Sequence, residues 1–421
     1  MKSMVPNVKR ALGGELVAKY AEALHTAGCS AHRLEESVAR VAHAFGLEAD
    51  VLALPTGVLL SLQGGESTRL IRRPPGRYQL ARQNDLFHFA EVVNREEHEP
   101  MEGLRKLEQI LDSPPPYSRW IRILGNCLAG AIFSIYLEGG WREAILGALV
   151  GLSCGLVLAS AEFNHRLERM PELLASVVAA AIAGTLSLWL PSCVVISLMG
   201  GLLLILPGMA FTVAVAEMAN RNLLTGSVRL ASSAWTLVAM TFGAALGSAI
   251  PELFGEVPDL SPQTLGLAAK VACLPLVGVV LTIHIQARSK ELPWITAACS
   301  VALLVTQATQ AHVPVEWLGS FLGAFSVGVF GNLCSRWRGS PSAALTLAAL
   351  YLLVPGSVGY RGVMALASGD TLHGLEMGLS MALRGIGLVA GLVFSSLLVP
   401  PMAPSTRREG TQRALWHSER L

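Results

Sequence analysis

Apolar residues follow two regimes along this chain. Over the first hundred or so positions they recur at helical spacing. Leu16, Val17, Tyr20 and Leu24 share one face of Leu12–Thr26, and Leu34, Val38, Val41 and Phe45 share one face of the next segment. Gly28 separates the two predicted helices, and Ser30 is placed to cap the second. Val51–Leu62 and Thr68–Arg73 read as short strands joined through Gln63-Gly64-Gly65-Glu66, and Asn84–Glu97 and Met101–Leu111 return to helical spacing. The set predicts a small α+β domain over residues 1–117, closed by the stiff linker Ser113-Pro114-Pro115-Pro116. From residue 118 the pattern changes to continuous apolar runs of about 20 residues, long enough to cross a bilayer as helices.

Ten such runs are read. The first five are Trp120–Leu137, Ala144–Ala161, Leu173–Leu190, Ser192–Ala216 and Val228–Ile250. The second five are Thr264–Ile285, Trp294–Gln310, Trp317–Leu333, Ser342–Leu366 and Leu372–Val399. The expected fold is an all-α polytopic membrane protein with a first five-helix unit over 118–251, a second over 264–400, and a polar tail over 401–421.

Composition agrees: charged residues make up 15% of the chain, and 41 residues are Gly. Residues 1–117 hold 14 Lys/Arg and 15 Asp/Glu, an ordinary soluble density, whereas the remaining 304 residues hold 18 and 15. A soluble multidomain enzyme is excluded, and a net charge of +2 without a basic stripe argues against a nucleic-acid partner. Positive charge falls on alternate connections: Arg119 and Arg122, Arg166 and Arg169, Arg221 and Arg229, Arg288 and Lys290, Arg336 and Arg338, then Arg407 and Arg408. The opposite side receives Arg142 and the acids Glu252, Glu256 and Asp259. The positive-inside rule then puts both termini and the front domain in the cytoplasm. Met1–Arg10 is polar and basic, which does not read as a cleaved signal peptide.

Several local patterns resemble chemistry. His25, Cys29 and His32 are close in sequence, but Gly28 and Ser30 interrupt any common face, so an interhelix turn is expected and no metal or cofactor. The seven scattered cysteines form no disulfide framework. The basic run Arg69, Arg72, Arg73 and Arg77 suits a solvated strand edge, with anionic lipid as the other reading. Gly151-Leu152-Ser153-Cys154-Gly155 fits a nucleophile elbow, yet it lies within a membrane run with no His beside it. With Gly147, it instead belongs to a series of glycines four residues apart that lets membrane helices approach closely. Gly243/Gly247, Gly319/Gly323 and Gly387/Gly391 repeat the pattern.

The two halves repeat at an offset of 148 residues. Leu206-Pro207-Gly208 matches Val354-Pro355-Gly356, and Val215/Val363, Ala219/Ala367, Leu224/Leu372 and Gly226/Gly374 keep the register. Five spans per half is an odd number, so the halves must be inverted, as in many secondary transporters. A Pro-Gly pair breaks a helix, and freed backbone at that depth must face protein or a water-filled cavity. A central site at Pro207, Gly208, Pro355 and Gly356 follows. Arg361 and Arg384 are candidates to hold a substrate carboxylate, the alternative being a structural ion pair with Glu376 or Asp370. Glu376, Asp370 and Glu217 are candidates to carry a proton. Lys270 and His284 lie near span ends and are expected to reach water.

At these residues the chain resembles a known family. Leu352-Leu353-Val354-Pro355-Gly356-Ser357-Val358-Gly359-Tyr360-Arg361-Gly362 is similar to a signature of the threonine/serine exporter family. Ile205-Leu206-Pro207-Gly208 followed by Asn222-Leu223-Leu224-Thr225-Gly226 resembles its partner motif, and Tyr20–Leu24 through Arg33–Glu36 resembles the opening of its cytoplasmic domain. The resemblance covers roughly residues 13–400 and looks like a fusion of halves that are separate proteins in some bacteria. It implies a bacterial inner-membrane exporter of threonine and serine driven by the proton-motive force, with small-molecule substrate, protons and the lipid bilayer as partners and a homo-oligomer possible. Split relatives associated with succinate efflux leave C4-dicarboxylate export as an alternative, for which Arg361 and Arg384 would act together. A membrane-anchored sensor is a second alternative, though it leaves the central breaks without a purpose.

Overall fold

A computed structural model describes residues 4–63, 68–73, 76, 78–95, 99–164, 166–167, 170–257, 260–313, 315–338 and 343–401. Gly64, Gly65 and Glu66 of the expected turn, Arg77, Arg169, Asp259, Arg407 and Arg408 of the charge pattern, and most of the tail lie outside the described residues.

The N-terminal domain comprises α1 (Met4–Thr26), α2 (Ala31–Ala44), β1 (Glu48–Leu54), β2 (Gly57–Gln63), β3 (Thr68–Arg72), α3 (Leu80–Arg95) and α4 (Pro100–Asp112). The strands form one antiparallel sheet in the order β1-β2-β3, with Val51 opposite Leu60 and Leu60 opposite Arg69. The run Val51–Leu62 is thus a hairpin and not a single strand. Pro55 has no N–H to give a ladder, and a turn at Pro55-Thr56 brings Gly57 back against β3. A Cβ on Gly57 would lie 2.4 Å from the carbonyl oxygen of Ile71, so only Gly fits. The helical faces read from the sequence do point inward. Leu16, Tyr20, Leu24, Leu34, Val38 and Val41 are fully buried, and Phe45 packs at the margin. The Tyr20 hydroxyl donates to the carbonyl of Leu86 (3.1 Å) and lies 2.7 Å from Ser37 Oγ, so burying it leaves no polar atom stranded. β3 is an edge strand with Arg69 and Arg72 exposed, and Arg73 pairs with Glu22 at 2.7 Å.

The helical bundle continues with α5 (Arg119–Tyr136), α6 (Trp141–Ala161), α7 (Pro171–Ser187), α8 (Val194–Leu202), α9 (Gly208–Ala219) and α10 (Leu223–Glu252). Then come α11 (Gly266–Ala272), α12 (Leu274–His284), α13 (Leu292–His312), α14 (Glu316–Arg338), α15 (Ala343–Leu353), α16 (Gly356–Ala367) and α17 (Thr371–Leu398). Among the described residues six stretches are long and apolar enough to cross a membrane: α6, α10, α13, α14, Ala343–Ala367 and α17. A seventh is the pair α11–α12, bent by 50°. The chain is a multi-pass membrane protein. The rest of the ten expected runs fall short as single straight helices for visible reasons. α5 carries Arg119 and Arg122 in its first turn, α7 has 17 residues, and the run Ser192–Ala216 is cut into α8 and α9.

Glycine sets how these helices meet. Cβ atoms added at Gly147 and Gly151 of α6 would lie 2.5 and 2.1 Å from carbonyl oxygens of Gly130 and Asn126 in α5. Gly243 and Gly247 sit as closely on Leu173 and Val177 of α7, and Gly387 and Gly391 on Trp317 and Phe321 of α14. Apolar tails gain nothing by leaving lipid, so this backbone proximity and its dispersion supply the association. Gly319 and Gly323 differ in meeting side chains, Thr306 and Gln310 in α13 and Leu353 in α15.

A valine at Gly247 would drive its Cβ to 2.2 Å from the Val177 carbonyl, whereas Gly378 has open space around it. Gly247→Val is expected to destabilise by about 1–3 kcal/mol or more. Gly378→Ala is expected to be neutral within about 1 kcal/mol. Melting temperatures of the detergent-purified variants, measured side by side, check the contrast.

Candidate functional site

Both Pro-Gly pairs start a helix. α8 stops at Leu202, the chain turns through Leu203–Leu206, and α9 begins at Gly208 with Pro207 as its cap residue. α15 stops at Leu353 and α16 begins at Gly356 behind Pro355. Proline cannot donate the bond that would carry the first helix onward, and its ring clashes with the preceding turn, so each run is cut at the same chemical feature. The two cuts touch. A Cβ on Gly208 would lie 2.1 Å from Val354 Cγ1 and 2.9 Å from both the nitrogen and Cα of Gly356. A Cβ on Gly356 would in turn lie 3.1 Å from Gly208 Cα. Two helix N-termini therefore meet backbone to backbone inside the bundle. Each carries first-turn N–H groups without an intrahelical acceptor and about half a unit of positive dipole charge, which together favour an anionic group.

The ionisable candidates separate into two groups. Arg384 in α17 pairs with Glu316 at the start of α14, and Glu316 Oε2 also accepts from Ser380 Oγ at 2.8 Å. The Nε of Arg384 is buried with no acceptor. Arg384 is tied to the crossing through its neighbour Gly385, which packs on Phe211 in the first turn of α9. Arg361 is exposed on α16, close enough for Glu316 to feel its charge. The expected structural partners of Arg384 are engaged elsewhere. Glu376 is exposed and lies 4.0 Å from His373, and Asp370 accepts the backbone N–H of His373 as the cap of α17. Glu316 was missed because it lies 68 residues before Arg384, with no local pattern to join them.

Glu217 lies far from that group, at the end of α9 against the N-terminal domain. It is buried, 3.0 Å from Arg229 Nε of α10, and its carboxylate sits against the amide of Ala31 at the open end of α2. Ser30, expected to cap α2, makes no side-chain cap there. Lys270, expected to reach water, is buried and paired with Glu138, while Tyr136 donates to its carbonyl oxygen at 2.8 Å. His284 packs edge-on against the ring of Tyr351. Glu143, also unforeseen, accepts from the amides of Gly140 and Cys193, both at 2.8 Å, and so fastens the start of α6 to that of α8. Ser153 of the elbow look-alike donates to the carbonyl of Val150 within α6 (2.7 Å), the bond of a helical serine.

His25 is used structurally, its Nε2 lying 3.1 Å from the carbonyl of Arg73, and burial lowers its pKa so that it is neutral at pH 7. Among the described residues no three His, Cys, Asp or Glu side chains converge as a metal would require.

Against this geometry the comparisons with known proteins are decisive. The family described as "Putative threonine/serine exporter" matches residues 15–250, and "Threonine/Serine exporter, ThrE" matches residues 269–398. The chain belongs to the threonine/serine exporter family. Relatives include an uncharacterised protein of Schizosaccharomyces pombe, 26% identical over 94% of this chain and 56% of the relative. Pheromone-regulated membrane protein 10 of Yarrowia lipolytica is 26% identical over 85% of this chain and 31% of the relative, and that of Saccharomyces cerevisiae 26% over 91% and 54%. The chain spans about half the length, or less, of these curated relatives. No solved structure matches.

Two measurements test the site's construction. Gly208→Ala places a methyl where Val354 and the Gly356 backbone already are, and it is expected to cost about 1–3 kcal/mol and to abolish function. A thermal melt beside a transport assay reads both. Burial pushes the Cys29 thiol up to about 11, so almost no thiolate exists at neutral pH. A maleimide at pH 7.5 is expected to leave Cys29 unmodified in the native protein and to modify it after denaturation, as mass spectrometry of the digested protein would show.

Proposed function

We propose that this chain exports small hydroxy amino acids, threonine and serine, by alternating access driven by inward proton movement. The observation that carries the proposal is the backbone contact of Gly208 with Gly356, where two half-helices end on each other at the centre of the bundle. Transporters built from inverted halves place their substrate at such discontinuous helices, with positive half-helix ends toward its carboxylate.

In this reading each half has five spans: α5, α6, α7, α8/α9 and α10, then α11/α12, α13, α14, α15/α16 and α17. Recurrence in three dimensions at the 148-residue offset supports it. Gly243 packs on the carbonyl of Leu173, and Gly391, 148 residues on, packs on that of Phe321, itself 148 residues after Leu173. Gly208 and Gly356 stand at the same offset, as do the buried Glu143 and Glu291 at the start of the second span of each half. The charge asymmetry puts the N-terminal domain on the cytoplasmic side, and a plasma membrane, the inner membrane in a bacterium, is the proposed location.

The charged group around the crossing favours a zwitterion over a dicarboxylate. Glu316 offsets Arg384, leaving Arg361 and the two helix ends to hold one carboxylate, and Glu316 itself can face an ammonium group. Of the three candidate proton carriers, Asp370 serves as a cap and Glu376 is exposed, so we assign the proton to buried Glu217 beside Arg229.

Counterflow in proteoliposomes loaded with threonine, serine or succinate is the primary test. Trans-stimulation by threonine or serine alone supports the proposal, and stimulation by succinate alone overturns the substrate class. Arg361→Ala is expected to lower the rate 10- to 100-fold at unchanged melting temperature, as for loss of a charge-assisted contact of about 1.5–3 kcal/mol. Glu217→Gln is expected to keep counterflow while losing stimulation by a pH gradient; retained stimulation would remove Glu217 from proton coupling.

A further inference from the structure

The N-terminal domain is fastened to elements of both halves of the bundle. Thr225 at the start of α10 donates to the carbonyl of Ala53 in β1 (3.1 Å), and Glu217 sits against the first amide of α2. On the other half, the carbonyls of Ile285 and Gln286, just past α12, accept the amides of Leu80 and Ala81 at 3.0 Å each, and Arg288 pairs with Asp85 of α3. Between these anchors two side chains leave the domain, and one of them, Leu80, is buried in the core cluster of the bundle. Tyr78, on the segment joining β3 to α3, packs into a cluster with Met209 and Val213 of α9, Tyr351 of α15 and Val354. Met209 follows Gly208 and Val354 precedes Pro355, so this cluster flanks the crossing, and Tyr78 enters it from the N-terminal domain. The backbone around it is held down. Gln79 N–H donates to the carbonyl of Ala27 (3.1 Å), and Gly76 lies so close to Thr26 that a Cβ would fall 1.6 Å from its carbonyl oxygen.

From this geometry we infer that the N-terminal domain is the inner gate of the pathway and Tyr78 its plug, an inference that rests on the transport reading above. The anchors reach helices of opposite halves, and rocking one half against the other moves Ile285 relative to Thr225. One domain cannot follow both, so opening the inner side has to release one set of bonds and withdraw Tyr78 from the cluster around Met209. These anchors are a handful of hydrogen bonds and ion pairs, few enough to break and re-form in each cycle. Glu217 then stands at the latch itself, facing Arg229, the carboxylate of Glu35 and the first amide of α2, and gaining a proton weakens its ion pair with Arg229, which would tie proton movement to opening.

Two measurements test the gate. In the first, Val213→Cys is made in a background lacking Cys127, Cys193 and Cys273, and inside-out vesicles are treated with a membrane-impermeant maleimide. Tyr78→Ala is expected to raise the labelling rate at position 213 at least tenfold, with Tyr78→Phe matching the parent. Equal rates in all three, with melting temperatures unchanged, would overturn the plug. In the second, Ala53→Cys and Thr225→Cys are introduced together and oxidised. Cross-linked protein is expected to lose counterflow and regain it on reduction. Full counterflow with the cross-link formed would overturn the gate. Absence of counterflow in the reduced parent would overturn the transport reading instead, and labelling at position 213 would still report whether Tyr78 covers the crossing.

Discussion

A helix stopped inside a membrane leaves N–H groups that lipid cannot satisfy, and the rest of this structure is arranged around two such stops. Pro207 and Pro355 end their helices, and Gly208 and Gly356 let the restarted helices begin within backbone contact of one another. A side chain at Gly208 would prise the two apart. The surrounding bundle covers the contact, with Leu206 and Tyr360 buried on one flank and Met209 and Leu350 on another. Two positive helix ends face each other there, an arrangement that favours an anion.

The same residue type solves two different problems in this chain. At the crossing, glycine permits a break; along α6, α10 and α17 it permits unbroken helices to lie against the carbonyls of α5, α7 and α14. That second use packs the paired helices backbone to backbone. The N-terminal domain meets the bundle through hydrogen bonds, an ion pair and the buried side chain of Leu80.

Much of the helical architecture was legible in one dimension because the bilayer demands long apolar runs and the N-terminal core demands a repeating apolar face. The hairpin within Val51–Leu62 was not, since its turn at Pro55-Thr56 sits inside an otherwise strand-like run. Nor was the Leu203–Leu206 turn, which ends α8 at Leu202, ahead of the break that Pro207 announces. The candidate site was half legible. Proline and glycine announce a break wherever they stand, whereas an arginine announces only that it needs a partner. Arg384 finds Glu316 from another helix, and not the nearby Glu376.

By itself, then, the sequence determined the membrane class, the 148-residue recurrence, the two breaks and the glycine faces. Each of these follows from local chemistry: helix length against bilayer thickness, a missing N–H, a missing Cβ. Only the tertiary structure decided that the two breaks meet, that Lys270 is buried against Glu138, and that Glu217 lies beneath α2. It also decided that Tyr78 reaches from the N-terminal domain into the cluster around Met209. Those pairings join residues tens to hundreds of positions apart, and they exist only because packing brings their helices together.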